Sequence, residues 1–476
     1  MTVAPRLCDA TMHLLGAGVA RPPYDRTSVG VGVVHFGPGA FHRAHQADAF
    51  DQVLAEDARW GVAGVGISSS SVADALRPQD GLYVLATRDW QTEYRVIGAV
   101  RELLTRADER RIIDLVAAPT TGLITTTVTE KGYTLDTQGR LDRTHPAVRA
   151  DLAGQRSPTS LVGWLVAGLA ERRRRGGGPV TIASCDNLAE NGRKLGAAVM
   201  DFAAESDSET ARWIAEQVRF PCSMVDSITP ATDEALRERV TAAGGLYDAW
   251  PIQRERFTQW VIEDDFAAER PPLEIAGVRF TADVGAFEAA KLRLLNGAHS
   301  TLAYLGLLLG HDTVAQAMRD DRLATFVERM MREDVAPSLV APRGLPLDAY
   351  ITAILERFAN PSIEHRLAQI AWDGSQKLPY RLLDTVRDAI AQGRGTRRLA
   401  GPIAAWLRFI AIAARDGTPL TDPLADRLLA TVADPMAILR IEGVFGRLSG
   451  EQHFAAQVQT AFDAMSDAAS VRRSLD

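Results

Sequence analysis

Short apolar runs alternate with amphipathic segments through the first part of the chain. The apolar runs are VGVVHF (31–36), WGVAGVGIS (60–68), LYVLAT (82–87), EYRVIGAV (93–100), GLITTTVT (122–129) and PVTIASCDN (179–187). Their length and their β-branched residues are typical of strands buried in a sheet. Helix-like segments such as ERRIIDLVAA and SLVGWLVAGLAERRRR lie between several of them. The alternation predicts a doubly wound α/β domain.

The pattern changes near residue 284. Segments such as AFEAAKLRLLNGAHSTLAYLGLLLG, LDAYITAILERF and RRLAGPIAAWLRFIAIAAR have helical periodicity, and strand patterns nearly disappear. We therefore predict a Rossmann-type dinucleotide-binding domain over residues 1–284, which includes an N-terminal arm. A mainly helical substrate-binding and catalytic domain follows over residues 285–476.

Composition narrows the class of protein. With 476 residues, 46% of them hydrophobic and 24% charged, the chain can bury cores of full size. A net charge of −7 argues against nucleic-acid binding and against a basic membrane-binding surface. Three widely spaced cysteines, Cys8, Cys185 and Cys222, fit a reduced compartment. With no signal-peptide pattern and no apolar run long enough to span a bilayer, we expect a cytoplasmic protein. A small molecule is its expected partner, and a monomer or small homo-oligomer its expected state.

The segment GPGAFHRAH follows the first predicted strand and opens a predicted helix. This is the context of a dinucleotide fingerprint. Gly37 permits the tight turn, and Gly39 lets the backbone approach a pyrophosphate. The third fingerprint glycine is absent, since position 42 is histidine. His35, His42 and His45 have no matching cysteine or carboxylate set, so we predict no metal site.

The end of the second predicted strand bears on cofactor choice. An acidic residue there commonly binds the ribose 2′-hydroxyl of NAD. This chain has Ile67 followed by serines at 68–71. From these residues alone, the choice between NAD and NADP stays open.

A second polar group lies in KLRLLNGAHS. If residues 288–299 form an α-helix, one face of that helix carries Glu288, Lys291, Asn296 and His299. A desolvated lysine has a lowered pKa and can act as a general base, while an asparagine amide can stabilise an alkoxide. The alternative is a helix with one lysine extended to water and a hydrogen-bonded core histidine.

Seven motifs occur in order over most of the chain: GPGAFHRAHQA, TVTEKGYTLD, SCDNLAENG, FPCSMVDSITPAT, QWVIEDDF, KLRLLNGAHS and DGSQKLP. Together they resemble the polyol-specific long-chain dehydrogenases, the mannitol dehydrogenase family. The resemblance covers roughly residues 24–400. It implies metal-independent hydride transfer between NAD(P) and a secondary alcohol of an open-chain sugar derivative.

The resemblance also implies roles for individual residues. Lys291 is the general base, Asn296 and Asn187 form an oxyanion hole, and Glu288 is a candidate proton relay. His299 and Asp226 are implied in substrate binding. The implied cofactor contacts are Phe36, Gly37, Gly39, Ala40, Phe41, Arg43, Ser69, Thr129, Glu130 and Asn187.

The motifs EKGY, FPCSMVD and QIAWDGSQKLPYRLL look most like the branch that interconverts mannonate and fructuronate. A sugar acid carries a carboxylate, which Lys377, Arg381 or Arg366 can neutralise. We expect Lys377 in a loop-like DGSQKLP, and we expect NAD as cofactor, with NADP not excluded. Ser227 departs from the family's arginine after MVD. The alternatives are a mannitol 2-dehydrogenase or arabinitol dehydrogenase, and, more distantly, a non-catalytic dinucleotide sensor.

Overall fold

The computed structural model describes residues 4–136, 138–154, 157–362, 364–431 and 433–475. By packing, the chain divides into two compact units, Met1–Val284 and Gly285–Asp476. The first unit mixes strands and helices, and the regular structure of the second is helical.

The described residues of the first unit form twelve strands. In chain order they are β1 Val31–Phe36, β2 Gly61–Gly66, β3 Tyr83–Arg88, β4 Glu93–Ile97, β5 Val100–Thr105, β6 Leu123–Thr126, β7 Val180–Ser184, β8 Val218–Arg219, β9 Ser223–Asp226, β10 Ile252–Glu255, β11 Gln259–Glu263 and β12 Arg279–Thr281. Six of them form a parallel sheet in the order β5-β2-β1-β6-β7-β8. The predicted α/β class with a Rossmann-type sheet is confirmed.

The strand order reverses between β1 and β6. From β1 the chain builds outward through β2 to β5, and then returns to place β6 on the other side of β1. In open parallel sheets ligands bind at such a reversal, outside the carboxyl ends of the strands. The loops after β1 and β6 therefore mark the expected binding edge.

Two of the predicted strands lie outside the main sheet. β3 and β4 pair as an antiparallel hairpin, and β10 joins β3 on its other side. A third sheet contains β9, β11 and β12. Apolar periodicity predicted strands at LYVLAT and EYRVIGAV, but it does not specify which partner each strand finds. The prediction of one strand over EYRVIGAV is wrong, because β4 ends at Ile97 and Val100 begins β5 in the main sheet.

Helices cover the main sheet of the first unit. They are Ala40–Ala44, Gln46–Val53, Ser71–Leu76, Glu109–Ala117, Pro146–Leu152, Leu161–Arg174, Asn191–Ser206 and Ser208–Gln217. The helix Glu234–Gly244 packs on β3 and β4 instead. Val34, Ile124 and Ile182 from the sheet pack with Trp164 in one continuous buried cluster. This cluster holds the carboxyl ends of the central strands in place.

The second unit is built from helices. They are Val284–Ala290 at the boundary, then Gly297–Leu308, Val314–Ala317, Asp321–Arg329, Leu347–Ala359, Leu367–Ile370, Gly374–Leu378, Asp384–Ala391, Arg397–Asp416, Ala425–Ala430, Glu442–Phe445, Gln452–Asp463 and Ala468–Ser474. Three π-helical segments, Lys291–Asn296, Met330–Val335 and Pro379–Leu383, interrupt them. In the part of the chain that the structure describes, no helix is both long and apolar enough to cross a bilayer.

Candidate active site

The loop after β1 has the backbone that the fingerprint predicted. Gly37 has φ +91°, and a Cβ atom there would lie 2.1 Å from the carbonyl oxygen of Thr127. Gly39 has φ −71°, and its missing Cβ would meet only the carbonyl oxygen of Gly37, at 3.8 Å. The fold therefore requires glycine at position 37. At position 39 the protein leaves open space, as a close-lying ligand needs.

This open space belongs to a cleft of about 460 Å³ at the reversal of the sheet. Three loops line it: Gly37–Ala40 after β1, Gly66–Ser71 after β2, and Thr127–Gly132 after β6. The cleft lies at the carboxyl ends of these strands, where the sheet geometry places a dinucleotide.

Arg43 borders this cleft with unused hydrogen-bond donors. Its side chain is 1% exposed, and its guanidinium lies over the rings of Trp250 and Tyr83, at 4.9 and 5.5 Å from their centroids. One nitrogen donates to the carbonyl oxygen of Trp250 at 2.8 Å, whereas Nε and Nη2 have no partner in the structure. Burial lowers the pKa of Arg43 to about 10, so it stays charged at neutral pH. A buried cation with free N–H groups beside Gly39 fits a pyrophosphate.

The ribose end of the cleft is lined by hydroxyl groups. Ser68, Ser69 and Ser71 lie there, and the Ser69 hydroxyl donates to that of Ser71 at 2.9 Å. Among the residues described around this cleft, none is aspartate or glutamate. Glu130, a predicted cofactor contact, begins the 3₁₀ turn Glu130–Tyr133, but its side chain lies outside what the structure describes.

Other predicted cofactor contacts adjoin the same loops. Phe36 ends β1 and is fully buried, and Ala40 and Phe41 begin the following helix. Ala40 lines the cleft itself. Phe41 stacks on His45 with ring centroids 5.0 Å apart.

The three histidines of this region are packing residues. The rings of His35 and His42 stack with centroids 3.4 Å apart, and both rings are fully buried. Burial lowers the pKa of His35 to about 3, and it lowers that of His42 well below its usual value. Both rings are therefore neutral at physiological pH. Over the described residues, no group of three or more His, Cys, Asp or Glu side chains is arranged to hold a metal ion.

The end of β7 presents Asp186 and Asn187. Asn187 is exposed, while Asp186 is buried and accepts hydrogen bonds from the backbone N–H groups of Val128 and Thr129, at 3.1 and 2.8 Å. The hydroxyl of Tyr133 donates to the same carboxylate at 2.6 Å. Sequence reasoning selected Asn187 and passed over Asp186.

Thr129 itself has an unusual backbone. Its φ of 67° and ψ of 160° lie in a region that is almost restricted to glycine. A residue held there stores about 1–3 kcal/mol of strain. The hydrogen bonds to Asp186 hold the loop in this conformation.

Asp226 closes β9 and is buried. Ser227, which stands where the family has arginine, donates its hydroxyl to the carbonyl oxygen of Phe257 at 3.1 Å. Ser227 thus links this turn to Phe257 and, unlike an arginine, places no positive charge beside Asp226.

In the second unit, Lys291 and Asn296 bound a π-helical segment. Lys291 is 8% exposed, and Glu288 and Asn296 are half-buried. The regular α-helix assumed from the sequence is therefore wrong over Lys291–Asn296. Wider winding changes the angles between these side chains, and π segments often occur at functional sites.

His299 is buried among aromatic and cationic groups. Its ring lies 4.5 Å from that of Phe358 and 4.9 Å from that of His365, and its Nε2 has no hydrogen-bond partner in the structure. Burial, with the positive charges of Arg357 and Arg381, lowers its pKa well below the usual value. His299 is thus a neutral side chain with a free ring nitrogen.

The three cations proposed for a substrate carboxylate differ in setting. Arg366 is exposed and pairs with Glu364 at 2.9 Å. Lys377 is half-buried and lies 3.8 Å from Asp373. The expectation of a loop for Lys377 is wrong, because the residue lies on the helix Gly374–Leu378.

Arg381 is the most buried of the three. It donates to the hydroxyl of Ser300 at 3.1 Å, and its Nε is buried without a partner. Burial lowers its pKa. The carbonyl oxygen of Arg381 would lie 2.7 Å from a Cβ at Gly297, so the two segments approach closely there.

Comparison with known proteins agrees with this geometry. The Mannitol dehydrogenase Rossmann domain model matches residues 31–275, and the Mannitol dehydrogenase C-terminal domain model matches residues 283–466. The chain therefore belongs to the mannitol dehydrogenase family. It is an NAD(P)-dependent dehydrogenase that acts on a CH–OH group of an open-chain polyol or sugar acid.

Individual relatives differ in their substrates. The chain is 39% identical to the D-mannonate oxidoreductase of Escherichia coli, with 91% of each chain covered. It is 38% identical to a mannitol 2-dehydrogenase of Aspergillus fumigatus, over 94% of this chain and 93% of the relative. The solved ternary complex of Pseudomonas fluorescens mannitol 2-dehydrogenase with NAD and D-mannitol is 35% identical, with a TM-score of 0.83, covering 99% of this chain and 98% of that one.

The two loop glycines should respond differently to alanine. Gly37→Ala places a Cβ against the Thr127 carbonyl at positive φ, which we expect to cost at least about 2 kcal/mol and to lower the melting temperature by roughly 4–8 °C. Gly39→Ala should leave the melting temperature nearly unchanged and weaken NADH binding by about tenfold or more, because its Cβ occupies cofactor space. Thermal unfolding and NADH titration measure the two effects. Full NADH affinity in a folded Gly39→Ala variant would contradict the assignment of this cleft.

Proposed function

We propose that the enzyme interconverts D-mannonate and D-fructuronate with NAD as cofactor. Arg381 is the observation that carries this proposal. Its side chain is half-buried, donates one bond to the Ser300 hydroxyl and keeps a buried Nε without a partner in the described residues. A buried charge without a partner is costly, so its retention favours an anionic ligand. A sugar acid supplies such an anion, and a neutral polyol does not.

Lys377 and Arg357 add positive charge near Arg381. Burial and the charge of Arg381 lower the pKa of Lys377, while Asp373 and Asp422 act in the opposite direction. The charges of Arg357 and Arg381 both act on His299. The neutral His299, with its free Nε2, is suited to bind a substrate hydroxyl beside this cationic cluster. A carboxylate flanked by hydroxyl groups is the chemistry that such a cluster recognises.

We assign the acid–base chemistry to Lys291. In oxidation its neutral amine takes the proton of the substrate hydroxyl, and in reduction its ammonium returns that proton. The side-chain amides of Asn187 and Asn296 donate hydrogen bonds to the developing alkoxide, and Glu288 relays the proton toward water. His299 and Asp226 orient the substrate. When bound, the nicotinamide supplies the hydride acceptor, or in reduction the hydride donor.

Oxidation of a neutral polyol is the second candidate. It is favoured by the mannitol 2-dehydrogenase relatives, which are about as similar as the mannonate oxidoreductase. Arabinitol is an alternative polyol of the same class. A non-catalytic dinucleotide sensor is the most distant alternative, and a buried lysine next to a π segment argues against it.

Replacing the proposed base should abolish turnover and spare cofactor binding. We expect Lys291→Ala to lower kcat by about 10²–10⁴-fold, the usual contribution of a general base, with the NADH Kd nearly unchanged. Lys194→Ala, on the helix Asn191–Ser206, is the matched lysine control and should keep wild-type kcat. A Lys291→Ala enzyme with most of its activity across the pH range would show that another group is the base.

The preference between cofactors should be modest. We propose that NAD(H) is preferred, because no arginine adjoins Ser68–Ser71 to bind a 2′-phosphate. The preference is weak, since no carboxylate is described in the cleft to repel that phosphate either. Comparing kcat/KM for NADH and NADPH tests this. A preference for NADPH above about tenfold would overturn it.

Substitution of the three candidate cations should raise KM for fructuronate more where the cation is more buried. Arg381→Met and Lys377→Met should raise KM for fructuronate by roughly 10- to 150-fold and leave KM for fructose nearly unchanged, because each loses a charge-assisted contact worth about 1.5–3 kcal/mol. Arg366→Met, which removes an exposed cation, is the control. Arg381→Met should also keep or raise the melting temperature of the free enzyme, because it removes an uncompensated buried charge. Equal losses on both substrates would favour the polyol reaction.

A further inference from the structure

We propose that Asp186 is a positioning residue that clamps the loop Thr127–Tyr133 against the cofactor cleft and fixes the backbone from which Asn187 projects. The inference rests on the NAD(P)-dependent activity of the family and is independent of the choice between sugar acid and polyol.

The clamp is a set of convergent hydrogen bonds on one buried carboxylate. Oδ1 accepts the N–H of Thr129 at 2.8 Å, and Oδ2 accepts the N–H of Val128 at 3.1 Å. Oδ2 also accepts the hydroxyl of Tyr133 at 2.6 Å and lies 3.5 Å from that of Thr126. Both oxygens are therefore occupied by groups at or near the two ends of the loop.

The clamped loop lines the cofactor cleft. Thr127, Val128, Thr129, Lys131 and Gly132 all contribute to its wall. The hydroxyl of Thr127 also donates to the carbonyl oxygen of Gly37 at 2.6 Å, which ties this loop to the glycine turn after β1. A shift of the loop would thus move two of the walls that a dinucleotide contacts.

The hydrogen bonds to Asp186 hold Thr129 in a backbone conformation that threonine disfavours. Its φ of 67° with ψ of 160° is a conformation that threonine avoids and glycine adopts freely. Two N–H groups fixed on a carboxylate hold the loop there, and an amide side chain has only one oxygen to replace them. A carboxylate at position 186 is therefore required by the conformation of residue 129.

The other side of Asp186 is fixed as well. The side-chain amide of Asn191 donates to the carbonyl oxygens of Asp186 at 3.0 Å and Ser223 at 2.8 Å. The side-chain oxygen of Asn191 accepts the N–H of Ser223 at 2.9 Å. The turn that carries Asn187 is thereby attached to β9, which ends at Asp226. One buried carboxylate and one buried amide connect the cofactor loop, Asn187 and the strand of Asp226.

NADH binding to the full-length enzyme tests the clamp. Asp186→Asn should raise the Kd for NADH by about tenfold, because charge-assisted bonds to the loop are lost. Thr129→Gly removes a side chain from the cleft wall, so this single variant supplies the reference Kd for the double variant. On the Thr129→Gly background, Asp186→Asn should raise the Kd by much less than tenfold, because glycine holds this conformation without the clamp.

The matched control is Asp51→Asn. Asp51 is also a fully buried carboxylate that accepts a tyrosine hydroxyl, from Tyr24, and a backbone N–H, from Gly98 at 2.7 Å, but it lies outside the cleft. This variant should lower the melting temperature and keep the wild-type Kd for NADH. Equal weakening of NADH binding in Asp51→Asn and Asp186→Asn would mean that Asp186 has only a structural role.

Two further outcomes would overturn the proposal. One is wild-type NADH affinity in Asp186→Asn, and the other is an equally large effect of Asp186→Asn in the wild-type enzyme and on the Thr129→Gly background. If Asp186→Asn does not fold, Tyr133→Phe removes one bond and keeps the carboxylate. It should raise the Kd for NADH by about threefold, and an unchanged Kd would then contradict the clamp.

Discussion

Removing a guanidinium from water costs several kcal/mol unless the protein supplies partners for its charge and its N–H groups. Arg172, Arg43 and Arg381 differ in how their guanidinium groups are paired. Arg172, 2% exposed, donates to five backbone carbonyl oxygens, which satisfies its side chain completely. Arg43 and Arg381 each keep buried N–H groups without a partner. Arg172 is therefore structural, and we propose that a ligand completes the pairing of Arg43 and Arg381.

Arg43 and Arg381 have different surroundings. Arg43 lies between aromatic rings at the edge of a cleft whose glycine loop leaves room for a pyrophosphate. Arg381 lies in the second unit, close enough to His299 for its charge to lower the pKa of that side chain. Each arginine thus accounts for one anion of the proposed reaction, the dinucleotide phosphates and the sugar-acid carboxylate. Asp186 is the opposite case, a buried carboxylate that accepts hydrogen bonds from the Val128 and Thr129 N–H groups and the Tyr133 hydroxyl.

Much of the fold could be predicted because its signals are local. The β-branched runs of β1, β2, β6 and β7 are visible in the sequence, and the positive φ of Gly37 follows from the fingerprint spacing. The role of Asp186 could not be predicted, because it depends on a long-range register. β6 and β7 are parallel, with Thr126 opposite Ser184, and this pairing brings the loop after β6 beside Asp186.

The second unit contains the two local errors. KLRLLN has ordinary helical spacing, so nothing in it indicates that Lys291–Asn296 winds as a π-helix. DGSQKLP has the glycine and proline of a loop, yet Asp373 takes a left-handed conformation (φ 56°) and starts the helix Gly374–Leu378. Tertiary packing decided both segments. The sequence also names three cations for one carboxylate, and only their burial separates Arg381 from the exposed Arg366.

The central claim is that Arg381, a half-buried arginine whose buried Nε has no partner in the described residues, selects an anionic substrate. The most direct test is NADH-dependent reduction by the unmodified enzyme, with D-fructuronate and D-fructose assayed side by side. We predict that kcat/KM for fructuronate exceeds that for fructose by at least about tenfold, the value of one charge-assisted contact. A kcat/KM for fructose equal to or above that for fructuronate would contradict the account and assign the enzyme to neutral polyols.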